Sequence, residues 1–305
     1  MTALHRWSPR GDHAHTQAWP RITVVTPSFN QGHFLETTIR SVLDQDYQNL
    51  EYIVIDGGST DGSVDIIRKY APRLAYWVSE PDQGQADAIA KGFRRSTGEI
   101  LAYLNSDDVY LSGTITQVVA AFQRHPPYDL IYGDVWIVNE QDQVIGERRL
   151  THMDDHDFLG QGNCLAQPAT FWTRQIYDEV GGIDPSLYFQ MDLDFYIRVA
   201  RAGRMRHLRR HLAKVRMHAE GKMVKADDIR RGELALLQQR YVPEGQLSLW
   251  RYAKPWLRSR QLVRCVLQGD FSYASAKILR RLRHPRADSA PEETHLAVGR
   301  LRNEG

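Results

Sequence analysis

Two acidic runs carry most of the chemistry open to this chain of 305 residues. One is Asp56-Gly57-Gly58-Ser59-Thr60-Asp61-Gly62-Ser63 and the other Asn105-Ser106-Asp107-Asp108, and each directly follows a short apolar run. Adjacent carboxylates such as Asp107 and Asp108 repel one another unless a positive charge lies between or beside them. A divalent cation supplies that charge, and hard oxygen donors suit Mg2+ or Mn2+. The first run also has a plainer reading, because Gly and Asp suit tight turns and Ser63 can cap a following helix. TPSFNQG, after the first apolar run, offers a single glycine rather than GxGxxG, and GxxxxGK[ST] is absent. A dinucleotide dehydrogenase is therefore disfavoured, and any phosphate charge would be balanced by metal.

The elements that must position these residues are legible as alternating patterns. Ile22–Thr26 reads as a buried strand, followed by a helix over Phe34–Leu43. Leu50–Ile55 is a second strand, with a helix after Ser63. Leu74–Val78 begins a third unit, whose helix carries Ala86, Ile89, Ala90 and Phe93 at helical spacing. Ile100–Leu104 is a fourth strand and Leu130–Tyr132 a fifth. Continuous apolar strands separated by helices imply a parallel sheet covered on both faces. Such doubly wound α/β sheets bind ligands at the carboxyl ends of their strands, which is where both acidic runs fall. After Asp134 the pattern turns to an antiparallel hairpin, then a helix over Asp192–Arg201 and a strand over Lys214–Met217. From Ala226 the chain reads as helical and increasingly basic.

Composition sets the outer bounds. The chain is 42% apolar and 25% charged with a net charge of +2, enough for one large domain or a domain with an appended module. Cys164 and Cys265 lie far apart without ligand-spaced partners, so a disulfide framework or zinc site is not expected and a reducing cytoplasm is the natural setting. Residues 1–20 lack the apolar centre of a signal peptide and read as a solvated leader holding His5, His13 and His15. No apolar run approaches the ~20 residues of a membrane span.

The segments VVTPSFNQGHFLETTIRSVLDQDYQNLEYIVIDGGSTDGS and EPDQGQADAIAKGFRRSTGEILAYLNSDD resemble the family 2 glycosyltransferases with the GT-A fold. The likeness runs from about Ile22 to about His218, and the GQADAI and NSDD motifs look like enzymes of bacterial surface polysaccharide assembly. It implies a Rossmann-like, mostly parallel sheet flanked by helices over residues 21–225. A helical, basic extension with a disordered tail would follow over 226–305. It implies that Pro27, Ser28 and Phe29 lie beside the nucleoside, that Asp56 contacts the base edge and that Asp61 supports the same loop. Asp108 would coordinate the cation, Mn2+ or Mg2+, with Asp107 facing ribose or donor sugar. Lys91 lies on the donor side, or is a solvated helix residue. The family's acidic base motif appears as Met191-Asp192, which makes Asp192 the expected base and places Met191 on the acceptor side; Asp194 is its nearest competitor and helix capping its alternative role. His218 would be a further metal ligand or contact the pyrophosphate. Trp172 would stack on an acceptor sugar, or belong to the core.

By that resemblance the chain transfers one sugar from a nucleotide-diphosphate donor, UDP first, to an acceptor hydroxyl with inversion. The acceptor would be a saccharide or a lipid-linked saccharide. Between Trp250 and Arg286 ten Lys and Arg residues face one acid, Asp270, and interleave with Trp250, Trp256 and aliphatic residues. That segment reads either as a solvated helical face or as an interfacial segment drawn to anionic lipid, the enzyme then lying on the inner face of the cell membrane. No nucleic-acid motif is present. A nucleotidyltransferase and a non-catalytic sugar-nucleotide binding module remain alternatives. A processive synthase is disfavoured, because QQRY at Gln238–Tyr241 has the wrong spacing for that motif.

Overall fold

The computed structural model describes residues 19–162, 165–219, 221–222, 227–243, 259–260, 263 and 266–267. The expectations for the leader histidines, both cysteines and most of the basic segment lie outside these residues.

Four parallel strands form the half that carries the acidic runs. They are β1 (Ile22–Ser28), β2 (Leu50–Asp56), β3 (Tyr76–Ser79) and β4 (Ile100–Tyr103), in spatial order β3-β2-β1-β4. All seven residues of β1 are buried, as a strand covered on both faces requires. Helix α1 (Gly32–Leu43) turns Phe34, Leu35, Thr38, Ile39 and Val42 inward at helical spacing. Helices α2 (Ser63–Tyr70) and α3 (Gln85–Arg95) complete the crossovers. α3 packs so closely on β1 that a Cβ at Gly92 would lie 2.4 Å from Val25 Cγ1; only glycine permits that approach.

Beyond β4 the sheet is mixed, and here the observed order departs from the expected one. The fifth apolar run is β6 (Leu130–Val138), and it does not pair with β4. An unexpected strand, β8 (Thr170–Thr173), lies between them and is antiparallel to both. β6 also pairs with β7 (Val144–Arg148) in the expected hairpin. On its far side it runs parallel to β9 (Met205–Arg216), far longer than the expected strand at Lys214–Met217. β5 (Val109–Tyr110), just after Asp108, pairs with β9 and closes the order at that end. Helices α4 (Thr114–Phe122), α5 (Asp155–Gln161), α6 (Arg174–Glu179) and α7 (Met191–Ala202) cover this half.

A last helix, α8 (Asp227–Tyr241), begins the basic extension. Leu237 of this helix and Val242 just after it belong to the same buried cluster as the sheet. None of the described helices is long and apolar enough to cross a membrane.

Candidate active site

The carboxyl ends of the parallel neighbours β2, β1 and β4 lie at one edge of the sheet, and an acidic run follows β2 and another β4. Asp56 ends β2 opposite Ser28. Its carboxylate is fully buried and accepts from the Gly58 and Ser59 amides and from the hydroxyls of Ser59 (2.6 Å) and Ser79 (2.7 Å). Three of these bonds fall on Oδ2 and one on Oδ1, so Asp56 organises the loop from within. Gly57 lies close to Asp82, whose Oδ2 would be 2.8 Å from a Cβ there.

Asp61 braces the start of α1 and the turn before α2. It accepts from the Gly32 amide at the start of α1 (2.8 Å) and from the amide and hydroxyl of Ser63. Burial opposes its charge, but these bonds prevail and hold its carboxyl below the ordinary value. Asn30, in the left-handed region at φ 51°, receives the Thr60 amide on its side chain and donates its own amide to Ser59. The β1 and β2 loops are zipped together by these bonds. At their edge Phe29 is 60% exposed, while Pro27 and Ser28 are buried and the Ser28 hydroxyl has no partner among the described residues.

Asp107 and Asp108 face different partners. Asp108 turns inward, nearly inaccessible, and its Oδ1 accepts the Arg216 amide of β9 (3.1 Å). Burial and the neighbouring Asp107 push its carboxyl well above the ordinary value, against the pull of Arg216. Asp107 instead meets His218, with Oδ2 3.0 Å from the ring Nε2. His218 itself lies against Phe34 of α1, ring centroids 4.9 Å apart. A carboxylate and an imidazole at that distance fit two positions on one divalent cation, with phosphate oxygens or water completing the shell. Among the described residues no group of three His, Cys, Asp or Glu side chains is placed to hold a metal. A cation here would depend on its substrate for the remaining ligands.

A residue that sequence reasoning missed joins the segment after β4 to the one before α7. Lys222 donates to Gln85 Oε1 at 2.9 Å, and Gln85 donates to Asn105 Oδ1 at 2.6 Å. On its other side the same ammonium donates to the Tyr188 carbonyl and lies 4.1 Å from the Tyr188 ring centre. Burial pushes Lys222 down to about 8, against the favourable charges of Asp192 and Glu233. No carboxylate of the described residues is within ion-pairing distance of it. The signal that could have found it is its place four residues after His218, since residues just past β9 must return over the strand ends.

Asp192 lies within electrostatic reach of Lys222, Tyr103 and Tyr196. It is the second residue of α7, whose N-cap is Gln190, so it does not cap the helix. It is mostly buried, and its charge raises the buried phenols of Tyr103 and Tyr196 beyond what burial alone does. Its competitor Asp194 is committed elsewhere, bonded to Arg198 (2.6 Å), Arg240 (3.1 Å) and Tyr241 (2.7 Å).

Lys91, Trp172 and Met191 are each engaged by other parts of the protein. Lys91 is held by Glu80 (3.2 Å) and Asp87 (3.4 Å) on the outer flank of α3. Trp172 on β8 is fully buried among Phe93, Tyr103 and Phe195, with ring centres 4.9–6.2 Å apart, so no face is left for a sugar. Met191 is 3% exposed and fills the core beside Asp192.

Comparison with known proteins agrees with this arrangement. The model of the family described as glycosyl transferase family 2 matches residues 23–180, slightly more than half of the chain. An uncharacterised glycosyltransferase of Mycobacterium tuberculosis is 32% identical over 187 residues, covering 59% of this chain and 69% of that protein. A PGL/p-HBAD biosynthesis glycosyltransferase of Mycobacterium bovis is 31% identical over 185 residues, covering 59% and 70%. Among solved structures, Staphylococcus aureus TarS 1–349 in complex with UDP superposes with a TM-score of 0.55 at 17% identity, covering 65% of this chain and 60% of that one. A mannosyltransferase from Pyrobaculum calidifontis in complex with GDP-Man and Mn2+ gives 0.60 at 20% identity, covering 94% and 88%. At these identities the structural likeness is one of fold, and the chain spans less than two thirds of the TarS fragment.

Proposed function

The chain belongs to glycosyl transferase family 2 and has the GT-A fold, and from that premise we propose that it transfers one sugar from a nucleotide-diphosphate donor to an acceptor hydroxyl with inversion. The observation that carries this reading is the linkage of three kinds of group: the Asp107–His218 pair, the Lys222 ammonium and the Asp192 carboxylate. Departure of a nucleoside diphosphate leaves negative charge on the leaving group, and attack by a hydroxyl releases a proton. Asp107 and His218 would hold Mn2+ or Mg2+, which when bound supplies positive charge to the departing diphosphate. Lys222 adds a fixed cation to the same side. Asp192 takes the proton of the acceptor hydroxyl, a general-base role worth typically ~10²–10⁴ in rate. The zipped β1 and β2 loops hold the nucleoside, with Phe29 free to stack on the base, and so hold the donor in line with the acceptor.

UDP and GDP each occur in one of the similar structures, and UDP is our leading donor nucleotide. The acceptor we propose is a saccharide, lipid-linked or free, in surface glycan or glycolipid assembly, in keeping with the relative named for PGL/p-HBAD biosynthesis.

Peripheral contact with an anionic membrane has support of its own in the folded domain. Two residues of β9, Arg209 and Arg210, have no partner on β6, because Gly133 pairs with Leu208 and Asp134 with His211. Arg204 and Arg206 stand 5.3 and 5.1 Å from the Tyr128 ring centre, in a cleft of about 560 Å3 that Arg209 also lines. None of these four arginines forms a salt bridge with a carboxylate among the described residues. Clustered unpaired guanidiniums suit lipid phosphates.

The test of function is nucleotide release from UDP-, GDP- and dTDP-sugars with Mn2+ or Mg2+ and with EDTA. One donor should release its nucleoside diphosphate and lose most of that release with EDTA. No release from any donor, and no donor binding, would contradict the proposal.

A further inference from the structure

Asp192 stands at the start of α7, and the backbone that delivers it is held from outside the family-matched region. A single carboxylate, Glu233 of α8, accepts three consecutive amides: Tyr188 at 2.7 Å on Oε1, and Phe189 and Gln190 at 2.8 and 2.7 Å on Oε2. The amides ahead of a helix have no partner of their own within it, and a carboxylate is the strongest acceptor a side chain can offer them. α8 holds the same segment at two further points. Gln190 donates its side-chain amide to the Arg230 carbonyl, and Arg240 and Tyr241 both bond Asp194 Oδ1. The backbone is therefore gripped on both sides of Asp192, two residues before it and two after. The grip is anchored in turn, since Leu237 of α8 is fully buried in the common core and Gln238 donates to the Leu159 carbonyl.

Lys222 makes this a question of geometry as well as stability. Its ammonium bonds the Tyr188 carbonyl while Glu233 holds the Tyr188 amide, so both faces of one peptide residue are fixed by the segment that follows β9. Through Gln85 that segment reaches Asn105 beside Asp107. The donor-side loop and the base-bearing helix are thus held at a set separation by side chains from residues 218–241.

We propose that Glu233 is the positioning residue of the general base: it sets where Asp192 stands through the Tyr188–Gln190 amides, and α8 is part of the catalytic unit rather than an appendage. This rests on the reading of Asp192 as the base. A carboxylate displaced by about 1 Å can cost ~10²-fold in rate, while the loops proposed to hold the nucleoside stand on β1 and β2, and of the proposed donor-side groups Lys222 alone shares a residue, Tyr188, with the clamp. Glu233 variants should therefore lose rate and keep donor affinity.

The experiment compares Glu233→Ala, Glu233→Gln, Asp192→Asn and Val119→Ala, all in the full chain. It follows nucleoside diphosphate release from the donor panel together with hydrogen exchange at the 188–190 amides. Val119 is fully buried on α4, away from α8, so Val119→Ala is the control for loss of stability without loss of the clamp. Glu233→Ala should lower kcat by about 10²-fold with donor KM within about twofold, and its 188–190 amides should exchange quickly. Glu233→Gln keeps one carbonyl acceptor and places an N–H against the other amides, so it should fall between Ala and wild type. At a temperature well below its unfolding transition, Val119→Ala should keep wild-type kcat. Wild-type kcat in folded Glu233→Ala, or a parallel loss of donor affinity, would overturn the positioning role. So would a kcat loss of the same size in Val119→Ala. Wild-type release by Asp192→Asn would instead overturn the assignment of the base, a separate failure.

Discussion

Lys222 shows how one side chain can be placed at a cost to the fold and a gain to the site. Burial holds it at about 8 against an ordinary value of 10.5, so its charged form is disfavoured by folding. Below pH about 8 both folded and unfolded chains carry the proton and the penalty is felt in full. Between about 8 and 10.5 the unfolded chain binds a proton that the folded chain has released, so this group makes stability rise with pH across that window. Lys222→Met should therefore raise the melting temperature at pH 7, with the gain shrinking as pH approaches 10.5. The same substitution should weaken donor binding at pH 7, and wild-type donor binding should weaken above pH 8. Thermal melts over pH 6–10 with calorimetric titration of UDP check both. A melting temperature that falls at pH 7 would show that the ammonium is satisfied without ligand. Such balances are hidden in a sequence, where Lys222 is one of 39 Lys and Arg residues. Asp107 and Asp108 make the same point: residue type places both at a strand end, but only the β9 backbone decides that Asp108 turns inward and Asp107 outward.

The elements divide into those written in local pattern and those set by distant pairing. The strands β1 to β4 alternate with amphipathic helices and were legible to within about two residues, because burial on both faces leaves a continuous apolar run. β8 was not legible, since four residues after a Pro-containing turn carry no period, and pairing with β4 and β6 makes them a strand. β9 was only partly legible: MRHLRRHLAKVR holds four arginines and a lysine, and its bulge breaks the alternation a reader would seek. Trp172 follows from that hidden strand. An aromatic near an acceptor motif reads as a platform, yet β8 buries it between α3 and α7. Trp172→Ala should cost about 3–5 kcal/mol, as large aromatic deletions in cores do. Urea unfolding measures this. A loss below about 1 kcal/mol would place the ring outside the core.

At the scale of the whole molecule, Asp108 and the Tyr128 arginine cluster stand at opposite ends of one long strand, β9. Arg216 closes the site end by its amide to Asp108, and Arg204 and Arg206 flank the other. Reversing Arg206, Arg209 and Arg210 to Glu should abolish flotation with phosphatidylglycerol-containing vesicles in ~0.1 M salt while leaving nucleotide release unchanged, because surface charges interact within a Debye length of about 10 Å. Undiminished flotation would leave the basic segment beyond residue 250 as the contact.

The account rests above all on a division of labour in which the donor-side loops bind the donor and Asp192 moves the proton. The most direct test is a pair of measurements on Asp192→Asn: the dissociation constant for the donor, and single-turnover release of its nucleoside diphosphate. The division predicts a donor affinity within about twofold of wild type and a rate lower by ~10²-fold or more. Release at the wild-type rate, or donor affinity lost together with the rate, would contradict it.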